Sequence, residues 1–192
     1  MAKRYEEDKS GIESNTVGVY RTAATVKGGR RFSFSGMVVC GDRNGRVGLG
    51  YGKANQVPNA IEKAQKKAKQ AMRSFPLTGT TIPHQVTGRF GACTVRLVPA
   101  SPGTGVIAGA AVRAVLDLVG VQDCLSKAYG STNNKNLTKA VIDGLQQLRS
   151  RAQVETLRKI TIEKTHIEEA HETAPELVAV DVEVEKVVEA SE

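Results

Sequence analysis

The chain has no tryptophan, and aromatic residues make up only 4% of its 192 residues. Its core is therefore expected to be aliphatic, and no aromatic cluster in the sequence announces a stacking platform for single-stranded bases. Cysteine is scarce as well. Cys40, Cys93 and Cys124 lie far apart with no Cys-x-x-Cys pair, which argues against a disulfide framework or a zinc site and for a reducing compartment. The histidines are His84, His166 and His171, so nothing supports a cysteine–histidine nucleophile. Carboxylates in the first 164 residues are few and dispersed, a poor basis for two-carboxylate or metal-assisted chemistry. No apolar run is long enough to span a membrane. The opening MAKRYEEDKSGIE mixes both charge signs without an apolar segment, unlike a secretory signal or a transit peptide. No catalytic residue, metal or cofactor is expected.

What is abundant is positive charge, unevenly placed. The net charge is +7. Residues 165–192 hold nine acids and one base, a segment of −8, so residues 1–164 hold 26 basic and 11 acidic residues, or +15. A body that basic repels itself unless a polyanion screens it, which points to nucleic acid.

Glycine is the other abundance, and the two coincide in residues 25–54, TVKGGRRFSFSGMVVCGDRNGRVGLGYGKA. Strands are predicted at 17–26, 31–40 and 46–51. The first two are joined by Lys27-Gly28-Gly29-Arg30, the last two by Asp42-Arg43-Asn44-Gly45, whose Asn-Gly pair is a strong hairpin signal. Val47, Leu49 and Tyr51 are expected to point inward, with the glycines between them. These turns form two basic fingers. Lys27, Gly28, Gly29, Arg30 and Arg31 make the first; Arg43, Asn44 and Arg46 make the second. Glycine lets backbone N–H groups approach phosphates, and Lys and Arg supply the charge. Pro58 then suits the first turn of a helix running to about Ser74, with Ile61, Ala64, Ala68 and Phe75 in its apolar stripe. Lys63, Lys66, Lys67 and Lys69 lie off that stripe, and with Lys53 they extend the basic surface.

The expected division is a flexible arm at 1–16, a first domain at 17–77, a second at 78–164 and a disordered acidic tail at 165–192. The Thr/Pro-rich stretch 76–83 reads as a linker. In the second domain the pattern gives strands at 85–88 and 91–100, a helix at 106–119, a strand at 121–129 and a helix at 136–149. A short helix at 153–159 follows. Rapid alternation of this kind means α/β.

Two nucleotide templates fail at named positions. A phosphate loop needs Gly where Val47 stands and Ser or Thr where Ala54 stands. The dinucleotide pattern starting at Gly48 needs Gly where Lys53 stands. The loop 99–105 precedes a predicted helix but has no lysine after it and no carboxylate nearby.

The segments KGGRRFSFSGMVVCGDRNGRVGLGYGKANQVPNAIEKA, PASPGTGVIAGAAVRAVLDLVGVQD and KAYGSTNNKN, with the helix beginning NLTKAVIDGL, resemble the bacterial-type fifth protein of the small ribosomal subunit over residues 17–150. The resemblance implies an α+β protein. Its first domain is like a double-stranded-RNA-binding domain, a three-stranded antiparallel sheet plus a helix. Its second is an α/β domain with a left-handed βαβ crossover. It implies a cytoplasmic, ribosome-bound protein that binds small-subunit ribosomal RNA at the head–body junction. Such a protein supports assembly, the region where messenger RNA enters, and decoding accuracy, beside the fourth and eighth proteins of that subunit. The loop from Thr25 to Gly29 would lie near the spectinomycin site, and Gly105 and Arg113 would mark a protein interface. Two alternatives share the second domain's fold: an RNA-processing subunit and a small-molecule phosphotransferase.

Overall fold

In a computed structural model, the structure describes residues 6–7 (backbone only), 11–163, 165–166 and 169–171. Nine strands and four helices are formed among them: β1 Glu6–Glu7, β2 Glu13–Val26, β3 Gly29–Gly41, β4 Arg46–Ala54, α1 Val57–Gln70, β5 Arg73–Ser74, β6 Val86–Phe90, β7 Cys93–Pro99, β8 Val106–Ile107, α2 Ala110–Val119, β9 Cys124–Gly130, α3 Asn134–Gln146 and α4 Arg151–Arg158. The first sheet is ordered β1-β2-β3-β4-β5 and the second β6-β7-β9-β8. The first is antiparallel throughout. In the second, β8 and β9 run parallel across α2, as a βαβ crossover requires, and the other pairs are antiparallel.

The first sheet is packed on both faces, so the inward placement expected in β4 holds for Val47 and Leu49 and fails for Tyr51. Cβ atoms on Gly48, Gly50 and Gly52 would run into the carbonyl oxygens of Ala68, Ala64 and Ala60 in turn, so the glycines face α1. Two strand residues advance about 6.7 Å and four helix residues about 6 Å, so the two small-residue rows stay in step along antiparallel axes. Val47 and Leu49 point the other way. Val47 is buried, and Leu49 packs half-buried, in a cluster with Val39, Leu116, Leu118, Val95, Leu97, Val141 and Leu145. Tyr51, expected inward, is 40% exposed. α2 packs on β2, β3 and β4, α3 packs on β6 and β7, and the two helices touch each other. The larger core is thus shared by the two halves.

Other boundaries move for local reasons. β2 begins at Glu13, inside the expected arm, because Glu13 pairs with Gly41 across the hairpin. α1 stops at Gln70, not Ser74, because Arg73 and Ser74 leave to pair with Val47 and Arg46. The stretch read as a linker is packed: Phe75 and Ile82 are buried, and Thr78 and Thr81 form a bridge. The loop 99–105 runs into β8, so α2 starts four residues later than expected. It ends on Gly120 at φ 99, where the Gly120 N–H donates to the Leu116 carbonyl. β9 starts at Cys124 instead of residue 121, and α3 and α4 each start two residues early. Of the tail, His166 and residues 169–171 are helical; residues 172–192 lie outside the described residues.

Candidate nucleic-acid interface

The register of β3 decides the shape of the first basic finger. β3 pairs with β4 only as far as Phe34 opposite Ala54, while its pairing with β2 continues to Val26 opposite Gly29. Beyond Phe34 the hairpin is therefore a two-stranded arm, roughly 20 Å long at strand rise, projecting past the sheet. Residues 21–34 hold Arg21, Lys27, Arg30 and Arg31 and no acid. Thr25, Lys27, Gly28, Gly29, Arg30 and Arg31 are all exposed at its tip. The Arg21 guanidinium lies 4.9 Å from the centre of the Phe32 ring, which is itself 48% exposed. Such a pair is worth about 0.5–1 kcal/mol at an exposed site.

The second finger is not free. The Asp42 carboxylate accepts from the N–H groups of Asn44 at 2.9 Å and Arg46 at 3.1 Å, closing the turn on itself. The Arg43 N–H donates to Leu118 O at 3.1 Å and the Gly45 N–H to Val119 O at 2.8 Å, docking the turn on the end of α2. The Arg43 side chain pairs with Glu13 at 2.7 Å, and Arg46 lies 3.9 Å from Asp42. Backbone donors expected to reach phosphates are thus spent inside the protein. Arg43 instead lines a concavity of about 360 Å³ with Gly105, Arg113, Asp117 and Gln122. Arg113 pairs with Asp117 at 3.7 Å. Gly105 and Arg113 line that concavity together, with Arg43 beside them.

The lysines gather elsewhere. Lys53, Lys63, Lys66 and Lys67 surround a concavity of about 350 Å³ between β4 and α1, with Tyr51, Gly52 and Gln70 completing its lining. No acid lines it. Lys69 is exposed on the same helix but does not line the concavity.

One cluster is missing from the sequence reading. Lys135, from α3, sits 4.7 Å from the centre of the Tyr20 ring and 4.8 Å from that of Tyr51. Four residues on, Lys139 sits 4.6 Å from the Phe90 ring. A hydrogen bond with Ser35, with the Lys135 and Lys53 charges adding to it, holds the Tyr51 phenol below its usual pKa, against an opposing effect of burial that exceeds that of either lysine's charge. Tyr20, Tyr51 and Lys135 come from three separate elements, so no spacing in the chain signals the group.

The loop 99–105 also differs from expectation. Asp123 stands beside it, 18 residues away in sequence from Gly105, whose N–H donates to Asp123 Oδ1 at 2.9 Å. The other carboxylate oxygen accepts from Thr80 Oγ1 at 2.8 Å. Both oxygens are engaged in holding chain, and the β8 that intervenes keeps the N-terminus of α2 away from the loop. Cys40, Cys93 and Cys124 are buried. Burial pushes the thiols of Cys40 and Cys124 up to about 11, which keeps them protonated and unreactive near neutrality. No helix among the described residues is long and apolar enough to cross a membrane.

Residues 12–76 match the family described as Ribosomal protein S5, N-terminal domain, and residues 88–158 match Ribosomal protein S5, C-terminal domain. Three relatives each carry the name small ribosomal subunit protein uS5. The one from Rubrobacter xylanophilus is 54% identical over 153 residues, 80% of this chain and 76% of the relative. The one from Rhodopirellula baltica is 52% identical over 150 residues, 78% and 85% of the two chains. The one from Syntrophobacter fumaroxidans is 52% identical over 161 residues, 84% and 95%. Two matched domains in the same order, on a five-stranded and a four-stranded sheet sharing one core, establish that the chain belongs to the ribosomal protein S5 family.

Proposed function

We propose that the chain is a non-catalytic structural constituent of the small ribosomal subunit that grips ribosomal RNA with two separate basic surfaces. The observation that carries this reading is the projecting β2–β3 arm, acid-free from residue 21 to residue 34, with every tip residue exposed. The four-lysine concavity between β4 and α1 supplies the second surface. Neither needs a base sequence: phosphate contacts position a protein on RNA without reading it. The same reading carries the expected position at the head–body junction, in the ribosome and cytoplasm, with effects on messenger RNA entering the subunit and on decoding accuracy.

Arg43, Asn44 and Arg46 move in this reading from the RNA side to the protein side. Their turn is docked on α2, and Arg43 lines the same concavity as Gly105 and Arg113. That concavity is the contact for a neighbouring ribosomal protein; the fourth and eighth proteins of the subunit are the partners expected. The phosphotransferase alternative loses support because Asp123, the carboxylate beside the loop 99–105, has both oxygens taken by Gly105 and Thr80.

The test is binding of the purified chain to small-subunit ribosomal RNA across a salt series. Log affinity should fall steeply and linearly with log salt, and Lys27→Glu with Arg30→Glu should reduce the slope by about 2. The same reversal at Lys159 should leave it nearly unchanged. A flat salt profile, or equal effects at both places, refutes the arm as an RNA grip.

A further inference from the structure

Among the described residues after Arg158, one side chain is buried: His171, at 8% exposure. It lies thirteen residues past the matched family domain, which ends at residue 158. An imidazole leaves water at a cost unless its nitrogens find partners. Both do. Nε2 is 2.8 Å from the Ala100 carbonyl oxygen, and since a carbonyl only accepts, Nε2 carries a hydrogen. Nδ1 is 2.8 Å from Thr80 Oγ1. Gly79 leaves room for the ring's attachment; a Cβ there would sit 3.3 Å from the His171 Cβ.

These partners are not incidental surface groups. Thr80 Oγ1, whose one hydrogen serves one acceptor at a time, lies 2.8 Å from both His171 Nδ1 and Asp123 Oδ2, and Asp123 Oδ1 accepts the Gly105 N–H at 2.9 Å. The Thr80 carbonyl accepts the N–H groups of Gln122 at 2.8 Å and Asp123 at 3.1 Å. The Ala100 N–H donates to Thr81 Oγ1 at 3.3 Å, and Thr81 Oγ1 donates to the Asp123 carbonyl at 2.6 Å. His171 thus touches the loop 99–105 directly at Ala100, and reaches Gly105 through Thr80 and Asp123. A Cβ on Gly103 or Gly105 would meet nothing within 4 Å. Polar bonds hold the loop: the Thr104 N–H and hydroxyl donate to the Ser101 carbonyl, the Cys124 N–H donates to the Gly105 carbonyl, and His171 of the C-terminal extension bonds the Ala100 carbonyl.

We infer that His171, on the helical residues 169–171 of the C-terminal extension, acts as a strap that fixes the conformation of the Gly105 loop where it lines the Arg43–Arg113 concavity. His171 is a positioning residue: it acts on that face through Thr80, Asp123 and Ala100 and touches no partner itself. The strap stands on the hydrogen bonds alone; its bearing on a partner rests on the protein-contact reading of the concavity given above.

The test uses the full chain, His171→Leu, His171→Gln and a chain ending at residue 164, with amide hydrogen exchange as the readout. Loss of the pin should speed exchange of the Gly105 amide by about 3- to 10-fold, the range of one net hydrogen bond. The amides of Val38 and Val39, in the first sheet, should be unaffected. His171→Gln keeps an amide donor for Ala100 and should fall between the native chain and His171→Leu. Unchanged protection of Gly105 in His171→Leu, or an equal rise at Val38 and Val39, overturns the strap. A parallel measurement is incorporation into small ribosomal subunits stripped of their own copy of this protein. Reduced incorporation of both His171→Leu and Arg113→Glu supports the link to a partner. Faster Gly105 exchange with normal incorporation of both variants leaves the strap standing and refutes the concavity as a partner face.

Discussion

Gly50 and Gly28 are the same residue type under opposite constraints. A Cβ on Gly50 would strike the Ala64 carbonyl, whereas one on Gly28 would meet nothing within 4 Å. Gly50→Ala should therefore destabilise the protein by about 1–3 kcal/mol, the usual cost of overpacking. Gly28→Ala should stay within about 0.5 kcal/mol. Urea titration of the two variants measures the contrast. Buried thiols provide a second handle. Cys40 and Cys124 have pKa values raised by burial from 9.0 to about 11. The fold therefore favours the protonated thiols. That stability is fully present below pH 9 and is lost as pH rises from 9 towards 11. The thermal midpoint should drop more steeply across that window in the native protein than in a Cys40→Ala, Cys124→Ala variant. An identical slope refutes the assignment. The sequence had marked these cysteines as chemically idle, from their spacing. It could not mark Asp123 as the partner of Gly105 and Thr80, because that contact depends on the loop before β8 folding back onto the start of β9.

At the scale of elements, the β2–β3 hairpin behaves as two structures. Its base is the centre of a five-stranded sheet, while its arm beyond Phe34 has β-pairing on one side only. The arm's large apolar side chains, Val26 and Phe32, are 51% and 48% exposed, so little core depends on them. Replacing residues 24–31 by an Asn-Gly turn should shift stability by less than about 1 kcal/mol, as surface changes do. The same change should lower the salt slope of RNA binding by about 3, one for each of the basic residues Lys27, Arg30 and Arg31 removed, leaving the share of the lysine concavity. Loss of the fold on excision would show that the arm is structural. α1 offers the converse case. Its lysines were legible as a basic face and Ile61, Ala64 and Ala68 as its packed side; what was not legible is the row of β4 that they meet. Strand alternation placed Val47, Leu49 and Tyr51 inward by hydrophobicity, while the face against α1 is the glycine row. The sheet is covered on both sides, so both rows are inside, and the small row takes the closer neighbour. A glycine at every second strand position opposite an alanine at every fourth helix position is the signal that could have revealed it.

At the scale of the whole molecule, the halves are not independent. Val39 and Val47 of the first sheet share a core with Leu116, Leu118 and Val119 of α2 and with Val95 and Leu97 of β7. A Cβ on Gly41 would sit 2.9 Å from that of Leu118, so the contact is tight. Leu118→Ala should cost about 2–5 kcal/mol and should lower a single unfolding transition reported equally by probes in both halves. Two separated transitions would refute the shared core. The stretch 76–83 was read as a linker because threonine, proline and glycine resemble one. It is packed because both of its flanks bury apolar residues, Phe75 and Ile82, in that core.

The sequence by itself determined the charge asymmetry, the two hairpin turns, the alternation of strand and helix and the failure of the nucleotide templates. These are properties of residue type and short-range spacing, which a chain carries before it folds. Only the tertiary structure decided which turn is free and which is docked, which row of β4 faces α1, and that Lys135 meets Tyr20 and Tyr51. It alone placed His171 behind the Gly105 loop. Each of these joins residues far apart in the chain, and such contacts are fixed by how helices and sheets pack rather than by any local pattern. Basic residues announce a polyanion partner wherever they stand; whether a given turn can reach that partner depends on what its backbone already holds.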